Sequence, residues 1–380
     1  MSLRKLGDIA TYINGYAFKP SDWEDEGLPI IRIQNLTGNA YSENKYNGVI
    51  DDKYIVNTGD VLISWSASLG VYRWEKGKAV LNQHIFKVMF DKEQVDKDYY
   101  IYQVSRILSR SGTDAHGSTM HHLTRPIFNK LPYIQLDIGR QRDISVKLNK
   151  VQTVINVKQR QLIQLDSLIK SRFVEMFGDP VLNERKWRTN TLKNKTTKIG
   201  SGATPRGGKG SYKNKGISLI RSMNVYDGRF EYKDLAHLNN EQAKQLDNVE
   251  VLVNDVLFNI TGASIARTCI VPIDVLPARV NQHVSIIRCN NELDPIFVNM
   301  QFLHKSFKNI LLGIGERGGA TRQAITKQQL ENLMIIVPPL GLQTQFAEFV
   351  QQVDKLKAVV QKSLDETQML FDALMQEYFG

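Results

Sequence analysis

The sequence predicts an α+β fold: two duplicated mixed α/β domains separated by two long, antiparallel, coiled-coil-like helices, with pseudo-two-fold symmetry. Three observations predict it. Motifs in the first half of the chain recur in the same order in the second half. Each half contains many short β-type runs bounded by Gly, Asn and Asp. Each half also closes with a run of apolar residues spaced alternately by three and four positions.

The duplication is carried by four pairs of matching segments. In order, they are 27–36 with 216–225, 57–70 with 252–265, the Asn-Gln-His tripeptides at 82–84 and 281–283, and 117–134 with 319–336. The order is kept throughout, and the offset drifts only from 189 to 202. Chance does not produce such an order, so the chain is predicted to contain two copies of one unit.

Each copy begins with a domain of short strands. One helix interrupts the strands, at 96–110 in the first copy and at 293–311 in the second. A long helical pattern then closes each copy, ending in Phe-Gly. The predicted boundaries are 1–140 for the first domain, 141–178 for the central helix, 179–340 for the second domain and 341–380 for the C-terminal helix.

The two long helices carry the heptad-like spacing of a coiled coil. Helices of roughly 35 residues would extend well beyond domains of this size, so we expect them to pair with each other rather than pack only on their own domains. The predicted seam residues are Leu148, Val151, Ile155, Leu162, Leu165 and Ile169 on the first helix and Phe349, Val353, Leu356, Val360, Leu370 and Leu374 on the second.

Charge is concentrated in one stretch of the chain. Residues 183–233 contain 13 Lys and Arg against three acids, which alone accounts for the formal net charge of +10. Trp187, Tyr212, Tyr226, Phe230 and Tyr232 lie among these basic residues. Such a mixture suits a surface that meets phosphates and stacks on bases, and it is also compatible with a solvated, loop-rich face.

No catalytic or metal-binding pattern is complete. The glycine loop at 202–211 resembles a phosphate-binding loop, but Gly210 stands where that motif requires Ser or Thr after the lysine. His116, His121 and His122 share one loop without metal-ligand spacing. No methyltransferase motif was found, and neither a metal nor a cofactor is expected on this chain.

A cytoplasmic, DNA-associated location is expected. The N-terminus lacks the apolar region of a signal peptide. No apolar run approaches the ~18 residues that span a bilayer. Two cysteines do not make a disulfide framework in a chain of 380 residues.

Several segments together carry a resemblance to a known family. They are 13–36, 198–225, the paired Asp-Val-Leu strands, the Asn-Gln-His tripeptides and 165–180. With their order and duplication, the sequence resembles the specificity subunit of type I restriction-modification systems over essentially its whole length. The resemblance implies a non-catalytic subunit with two target-recognition domains that reads a bipartite, asymmetric site in double-stranded DNA.

The resemblance also implies partners. Two modification subunits would bind S-adenosylmethionine and methylate adenine, and restriction subunits would complete a translocating nuclease. S-adenosylmethionine, ATP and Mg are therefore expected on partner subunits. The alternatives are a recognition subunit of a type IIB or IIG-like system, a self-contained methyltransferase or nuclease with an unrecognised site, and a protein-binding scaffold.

Residues identical in both copies cannot make the copies choose different sequences. Arg32, Asn35, Arg221 and Asn224 are therefore expected to contact phosphate or fix the fold, and the Asn-Gln-His tripeptides to hold a turn or touch phosphate. Divergent loop residues are the better candidates for reading bases. The candidate DNA contacts of this kind are Tyr16, Lys19, Ser64, Trp65, Ser66, His116 and His121 in the first copy, and Thr204, Arg206, Lys209, Lys213, Asn259, Thr261, Arg317, Arg322 and Gln323 in the second.

Overall fold

The computed structural model describes residues 2–38, 43–66, 68–113, 124–205, 207–316 and 323–380. The chain divides into two compact units. The first unit comprises Met1–Gln159 together with Lys362–Gly380, and the second comprises Arg160–Gln361.

The first copy contributes strands β1 (Ser2–Lys5), β2 (Thr11–Asn14), β3 (Leu28–Ile31), β4 (Lys45–Tyr46), β5 (Ile55–Val56), β6 (Val61–Ser64), β7 (Gly70–Arg73), β8 (Ala79–Leu81), β9 (Ile85–Met89) and β10 (Pro132–Gln135). Its helices are α1 (Leu6–Ile9), α2 (Ile33–Thr37), α3 (Lys97–Thr113), α4 (Arg125–Asn129) and α5 (Ile138–Phe177). The strands form an antiparallel sheet in the order β2-β9-β6-β7, a mixed sheet in the order β4-β3-β8-β5, and the pair β1-β10.

The second copy contributes strands β11 (Thr189–Thr191), β12 (Thr196–Ser201), β13 (Ile217–Ile220), β14 (Val225–Tyr226), β15 (Arg229–Phe230), β16 (Ala236–Leu238), β17 (Glu250–Val251), β18 (Val256–Asn259), β19 (Thr268–Ile270), β20 (Ala278–Val280), β21 (Val284–Cys289) and β22 (Met334–Ile336). Its helices are α6 (Asn240–Lys244), α7 (Pro295–Leu303), α8 (Lys305–Glu316), α9 (Lys327–Glu331) and α10 (Leu340–Phe379). Its sheets have the orders β12-β21-β18-β19, β16-β13-β20-β17 and β11-β22.

The two copies therefore share one topology. In each mixed sheet the only parallel pair among the described strands is the equivalent one, β3 with β8 and β13 with β20. The second copy adds the hairpin β14-β15. The predicted duplication and the α+β class are confirmed.

The repeated Asp-Val-Leu motif has the same structural role in both copies. Asp60 accepts a hydrogen bond from the backbone N–H of Asn57 at 2.9 Å, and Asp255 accepts one from Leu252 at 2.7 Å. Each acid thus holds the turn that starts a central strand. The following Val and Leu are buried in two different hydrophobic clusters, because alternate residues of a strand point to opposite faces.

One predicted helix is interrupted. The segment 293–311 forms α7 and α8, and His304 between them has an extended backbone with φ −63° and ψ 133°. The ring of His304 lies 2.8 Å from the hydroxyl of Ser306, which donates to Asp179 at 2.8 Å. A contact with the segment after α5 therefore fixes the break.

The long helices run antiparallel and pack against each other inside each unit. In the second unit, the rings of Phe173 and Phe346 lie 5.5 Å apart, and Lys357 pairs with Asp166 at 2.7 Å. Moving backward along α5 thus moves forward along α10. In the first unit, the start of α5 shares a hydrophobic cluster with the end of α10, through Ile144, Leu148, Met375 and Phe379.

The six seam residues predicted on α5 are all buried or half-buried. On α10 the seam needs a correction, because Leu356 and Leu370 are 56% and 52% exposed. The less exposed stripe instead comprises Val350, Val353, Lys357, Val360, Leu364, Thr367, Phe371 and Leu374.

Lys357, rather than the predicted Leu356, lies on the less exposed stripe of α10. It can do so because its ammonium group pairs with Asp166. Burial opposes its protonation, but its hydrogen bond to Asp166 and the charges of Asp166 and Asp354 outweigh that effect and raise the pKa of Lys357. Its aliphatic stem can therefore occupy a half-buried position while its ammonium group remains charged.

None of the described helices is long and apolar enough to cross a membrane. Cys269 and Cys289 are both free thiols.

Candidate DNA-reading clefts

The Asn-Gln-His tripeptide forms the same turn in both copies. It connects the mixed sheet to the antiparallel sheet, from β8 to β9 and from β20 to β21. Asn82 Oδ1 accepts the backbone N–H of His84 at 3.4 Å, and Asn281 Oδ1 accepts that of His283 at 3.0 Å. The expectation that the tripeptide holds a turn is confirmed.

A glycine directly after the first strand of each antiparallel sheet packs against this turn. A Cβ on Gly15 would lie 2.3 Å from the carbonyl oxygens of Leu81 and Asn82, and one on Gly202 would lie 1.8 Å from that of Val280. Only glycine permits this approach of two backbones. The turn therefore occupies a fixed position beside each sheet.

A cleft of about 430 Å³ opens beside the turn in the first unit, here called the first cleft. It is lined by Phe18, Trp23, Arg32, Ile33, Gln34, Thr37, Ser68, Asn82, Gln83 and His84. The guanidinium carbon of Arg32 lies 5.2 Å from the centroid of the Trp23 ring, and Trp23 is 40% exposed. An exposed aromatic ring beside a cation can meet both a base and a phosphate.

The second unit has a cleft of about 500 Å³ at the equivalent position, here called the second cleft. It is lined by Ser222, Met223, Tyr226, Thr261, Gly262, Ala263, Ser264, Arg267, His283, Gln323 and Ala324. His283 Nδ1 lies 2.6 Å from the hydroxyl of Thr261. The two clefts are built from equivalent elements. The first is lined by the segments after β3 and β6 and by His84, and the second by the segments after β13 and β18 and by His283.

The repeated Arg and Asn residues share one hydrogen bond in both copies. Asn35 Oδ1 accepts the backbone N–H of Arg32 at 2.9 Å, and Asn224 Oδ1 accepts that of Arg221 at 3.1 Å. The guanidinium carbon of Arg221 lies 5.4 Å from the Tyr212 ring, as that of Arg32 lies over Trp23. Arg32 and Trp23 line the first cleft, whereas Arg221 and Tyr212 lie outside the lining of the second.

The structure separates the predicted DNA contacts into four groups. Arg32, Thr261 and Gln323 line the clefts. Ser64, Ser66, Asn224 and Asn259 are buried. Tyr16, Lys19, Asn35, Trp65, Thr204, Lys213 and Arg221 are exposed or half-buried outside the cleft linings. His116, His121, Arg206, Arg317, Arg322 and the side chain of Lys209 lie outside the described residues.

Interior hydrogen bonds account for two of the buried candidates. The Ser64 hydroxyl donates to the carbonyl of Ser68, and the Asn259 amide donates to the carbonyl of Ser222 at 2.9 Å. Because all four residues are buried, we leave them out of the contact surface proposed below.

Sequence reasoning missed several cleft residues. Trp23 and Gln34 in the first cleft, and Met223, Tyr226 and Arg267 in the second, were not among the candidates. Gln34 and Met223 could have been found from the sequence, because each lies between the repeated Arg and Asn and the two residues differ between the copies. Arg267 carried no such signal, since it lies outside every matched segment.

A basic groove separate from both clefts lies along β12 in the second unit. Lys193, Lys198 and Lys327 line a cleft of about 620 Å³ there. Within the described part of the chain, no three His, Cys, Asp or Glu side chains are grouped to hold a metal ion. The first and second clefts are lined by polar, aromatic and apolar side chains and by one arginine each.

Comparison with known proteins gives concordant matches. The model of the type I restriction modification DNA specificity domain matches twice, over residues 1–166 and 188–367. The chain is 22% identical over 410 residues to the specificity subunit of the type I restriction enzyme EcoBI from Escherichia coli, covering 98% of this chain and 84% of that subunit.

Solved structures share the fold. The crystal structure of a type I restriction-modification system S subunit from M. genitalium matches with a TM-score of 0.60 and 13% identity, over 100% of this chain and 96% of that one. A chain from a structure describing complex assembly and conformational transition of the type I restriction-modification system matches with a TM-score of 0.54 and 15% identity, over 100% and 97% of the two chains.

Proposed function

Since this chain belongs to the family of type I restriction-modification DNA specificity domains, we propose that each of its two domains reads one half of a bipartite, asymmetric DNA target. Its relatives are specificity subunits, so the chain is not itself the methyltransferase or the nuclease of the complex. We propose that the chain acts in the cytoplasm and binds double-stranded DNA.

The observation that carries this proposal is the pair of equivalent clefts. The floor of each cleft is formed by the histidine of the Asn-Gln-His turn. In the walls, Gln34 and Thr37 of the first cleft are replaced by Met223 and Tyr226 in the second. Two clefts with the same floor and different walls suit two domains that bind the same kind of ligand and distinguish different nucleotide sequences.

We propose that the long helices set the unread gap between the half-sites. Each helix has 40 residues and is about 60 Å long. Adjacent half-sites on one face of DNA lie about 34 Å apart, one helical turn. Helices of this length can therefore fix a spacing of that order.

We also propose that the exposed faces of these helices dock two modification subunits, with restriction subunits joining in the full complex. Several large apolar side chains on α10 are more than half exposed, namely Leu356, Val359, Met369 and Leu370. Ile163 on α5 is 66% exposed. Apolar side chains in such a row are typical of a protein-binding surface. S-adenosylmethionine, ATP and Mg would be bound by those partner subunits.

Methylation sequencing of cells that carry the complete system tests the reading function. We expect a bipartite methylated motif that disappears when this chain is deleted in frame and returns when it is supplied again. A methylome that is the same with and without the chain would contradict the proposal. Robust methyl transfer or cleavage by the purified chain alone would point to a self-contained enzyme instead.

A further inference from the structure

We propose that Arg267 reads a guanine in the half-site recognised by the second domain, and that Tyr226 is the positioning residue that holds the Arg267 guanidinium in place. This inference rests on the proposed function and adds to it the identity of one base pair and the side chain that reads it.

Arg267 is fixed at the second cleft by its backbone and by its side chain. Its N–H donates to the carbonyl of Ser264 at 3.2 Å, and its carbonyl accepts the N–H of Asn259 at 2.9 Å. Its guanidinium carbon lies 4.5 Å from the centroid of the Tyr226 ring. Both side chains line the second cleft and are half-buried. The stack reduces the rotamer freedom that Arg267 would otherwise lose on binding.

The Arg267 charge is available to a ligand. No acidic partner and no hydrogen bond to its guanidinium is found within the described ranges. Other arginines of the second domain differ, because Arg229 pairs with Glu231 at 3.3 Å and Arg288 with Asp255 at 2.8 Å. Arg229 also lies 4.7 Å from the Tyr226 ring, but it does not line the second cleft.

Among the described residues of the first domain, this pair has no counterpart. Ser64 at the end of β6 pairs with Gly70, and Asn259 at the equivalent place in β18 is hydrogen-bonded to Arg267. Val71 pairs with Ile63 as Thr268 pairs with Phe258, so by strand register Gly70 occupies the position of Arg267. The ungapped sequence match places Gly70 opposite Ile265 instead, because the second turn is two residues longer. The aligned repeat places Thr37 opposite Tyr226. A contact needed by both domains, such as one to phosphate, would be expected in both copies. A contact present in one copy can distinguish the two half-sites.

The chemistry of a stacked guanidinium favours guanine. Stacking occupies the face of the guanidinium and leaves its N–H edge free, and two parallel N–H groups match the O6 and N7 acceptors of guanine in the major groove. Met223, Ala263 and Ala324 add apolar lining to the cleft. A lysine could replace the charge of Arg267 but could not reproduce the two-point contact.

The test compares Arg267→Lys with Arg229→Lys in the complete system. For the wild type we expect a bipartite methylated motif with a specified G·C pair in one half. Arg267→Lys should lose the preference at that one pair and leave the other half unchanged. Arg229→Lys, which keeps the charge at a residue that touches the same ring outside the cleft, should leave the whole motif unchanged.

Duplex binding by the chain assembled with its modification subunits gives a second readout. Replacing the specified guanine by 7-deazaguanine removes the N7 acceptor, and we expect wild-type affinity to fall on the order of 10-fold or more. The Arg267→Lys complex should bind both duplexes alike. Tyr226→Phe keeps the aromatic face and should retain the sensitivity to 7-deazaguanine, whereas Tyr226→Leu should lose much of it without a lower unfolding temperature.

Three results would overturn the inference. They are a motif whose halves contain no G·C pair that depends on the second domain, an unchanged motif in Arg267→Lys, and a uniform loss of affinity for all sequences, which would mark a phosphate contact. A wild-type complex with no bipartite motif at all would instead reject the proposed function.

Discussion

Two glycines show how single residues place each cleft. Gly15 and Gly202 allow the first strand of each antiparallel sheet to touch the carbonyl that precedes the Asn-Gln-His turn. A side chain at either position would push the turn, and with it the histidine at the base of the cleft, away from the sheet. These glycines support the clefts without reading DNA.

The first prediction concerns Gly202→Ala. Its Cβ would lie 1.8 Å from the Val280 carbonyl oxygen, so backbone must shift, and we expect a loss of at least about 1–3 kcal/mol in the free energy of unfolding. Gly200→Ala, in the strand that ends just before Gly202 and with nothing within 4 Å of the added Cβ, is the matched control. Urea unfolding measures both variants. Equal effects of the two substitutions would show that the close approach is not needed.

The second prediction concerns pH. Burial raises the pKa of the Cys269 thiol from 9.0 to about 12. The folded chain therefore keeps a proton that the unfolded chain releases above about pH 9, so the free energy of unfolding should fall as pH rises from about 9 toward 12. In Cys269→Ala this fall should be smaller. Urea unfolding at several pH values checks it, and parallel curves for the two proteins would contradict it.

At the scale of elements, the sequence predicted the strands and the repeat well because both depend on local pattern. Which face of α10 is the less exposed one could not be predicted from local pattern. Leucines occupy both possible phases, and the observed phase includes Lys357, whose burial depends on Asp166 of another helix. The break at His304 likewise depends on Asp179, which is distant in sequence.

The clefts were predictable only in part, for the same reason. Repeated residues revealed the turn with the shared histidine, but Arg267 reaches the second cleft from the turn between β18 and β19, opposite a position that is glycine in the first copy. No local pattern marks such a residue. Only the strand register shows what it faces.

The third prediction follows from the corrected phase of α10. Leu356→Asp changes an exposed residue and should alter the free energy of unfolding by less than about 0.5 kcal/mol, while weakening assembly with the modification subunits. Phe346→Ala removes a fully buried ring and should cost about 3–5 kcal/mol. Thermal unfolding and co-purification measure the two effects. Normal assembly by Leu356→Asp would remove this face from the docking surface.

At the scale of the whole molecule, the fourth prediction concerns spacing. Inserting seven residues after Leu162 and seven after Val360 keeps the heptad phase of both helices and lengthens each by about 10 Å. With about 3.4 Å per base pair, the unread gap should grow by about three base pairs while both half-sites stay the same. Methylation sequencing reads the result directly.

The matched control for spacing is the insertion in α5 alone. It shifts one helix against the other and should destabilise the protein rather than lengthen the gap. An unchanged gap in a folded double-insertion complex would show that the helices do not set the spacing.

The division of the long helices between the units has a consequence for how the two copies depend on each other. The core of the first unit includes Met375 and Phe379 from the second copy, and the core of the second unit includes Phe173 and Phe177 from the first. Each copy thus supplies the helix end that completes the other copy's core. A single copy on its own would leave that core open, whereas two separate copies could complete each other's cores by exchanging these helices as a swapped homodimer. Two copies joined in one polypeptide can differ in sequence from each other, which a symmetric pair of identical chains cannot.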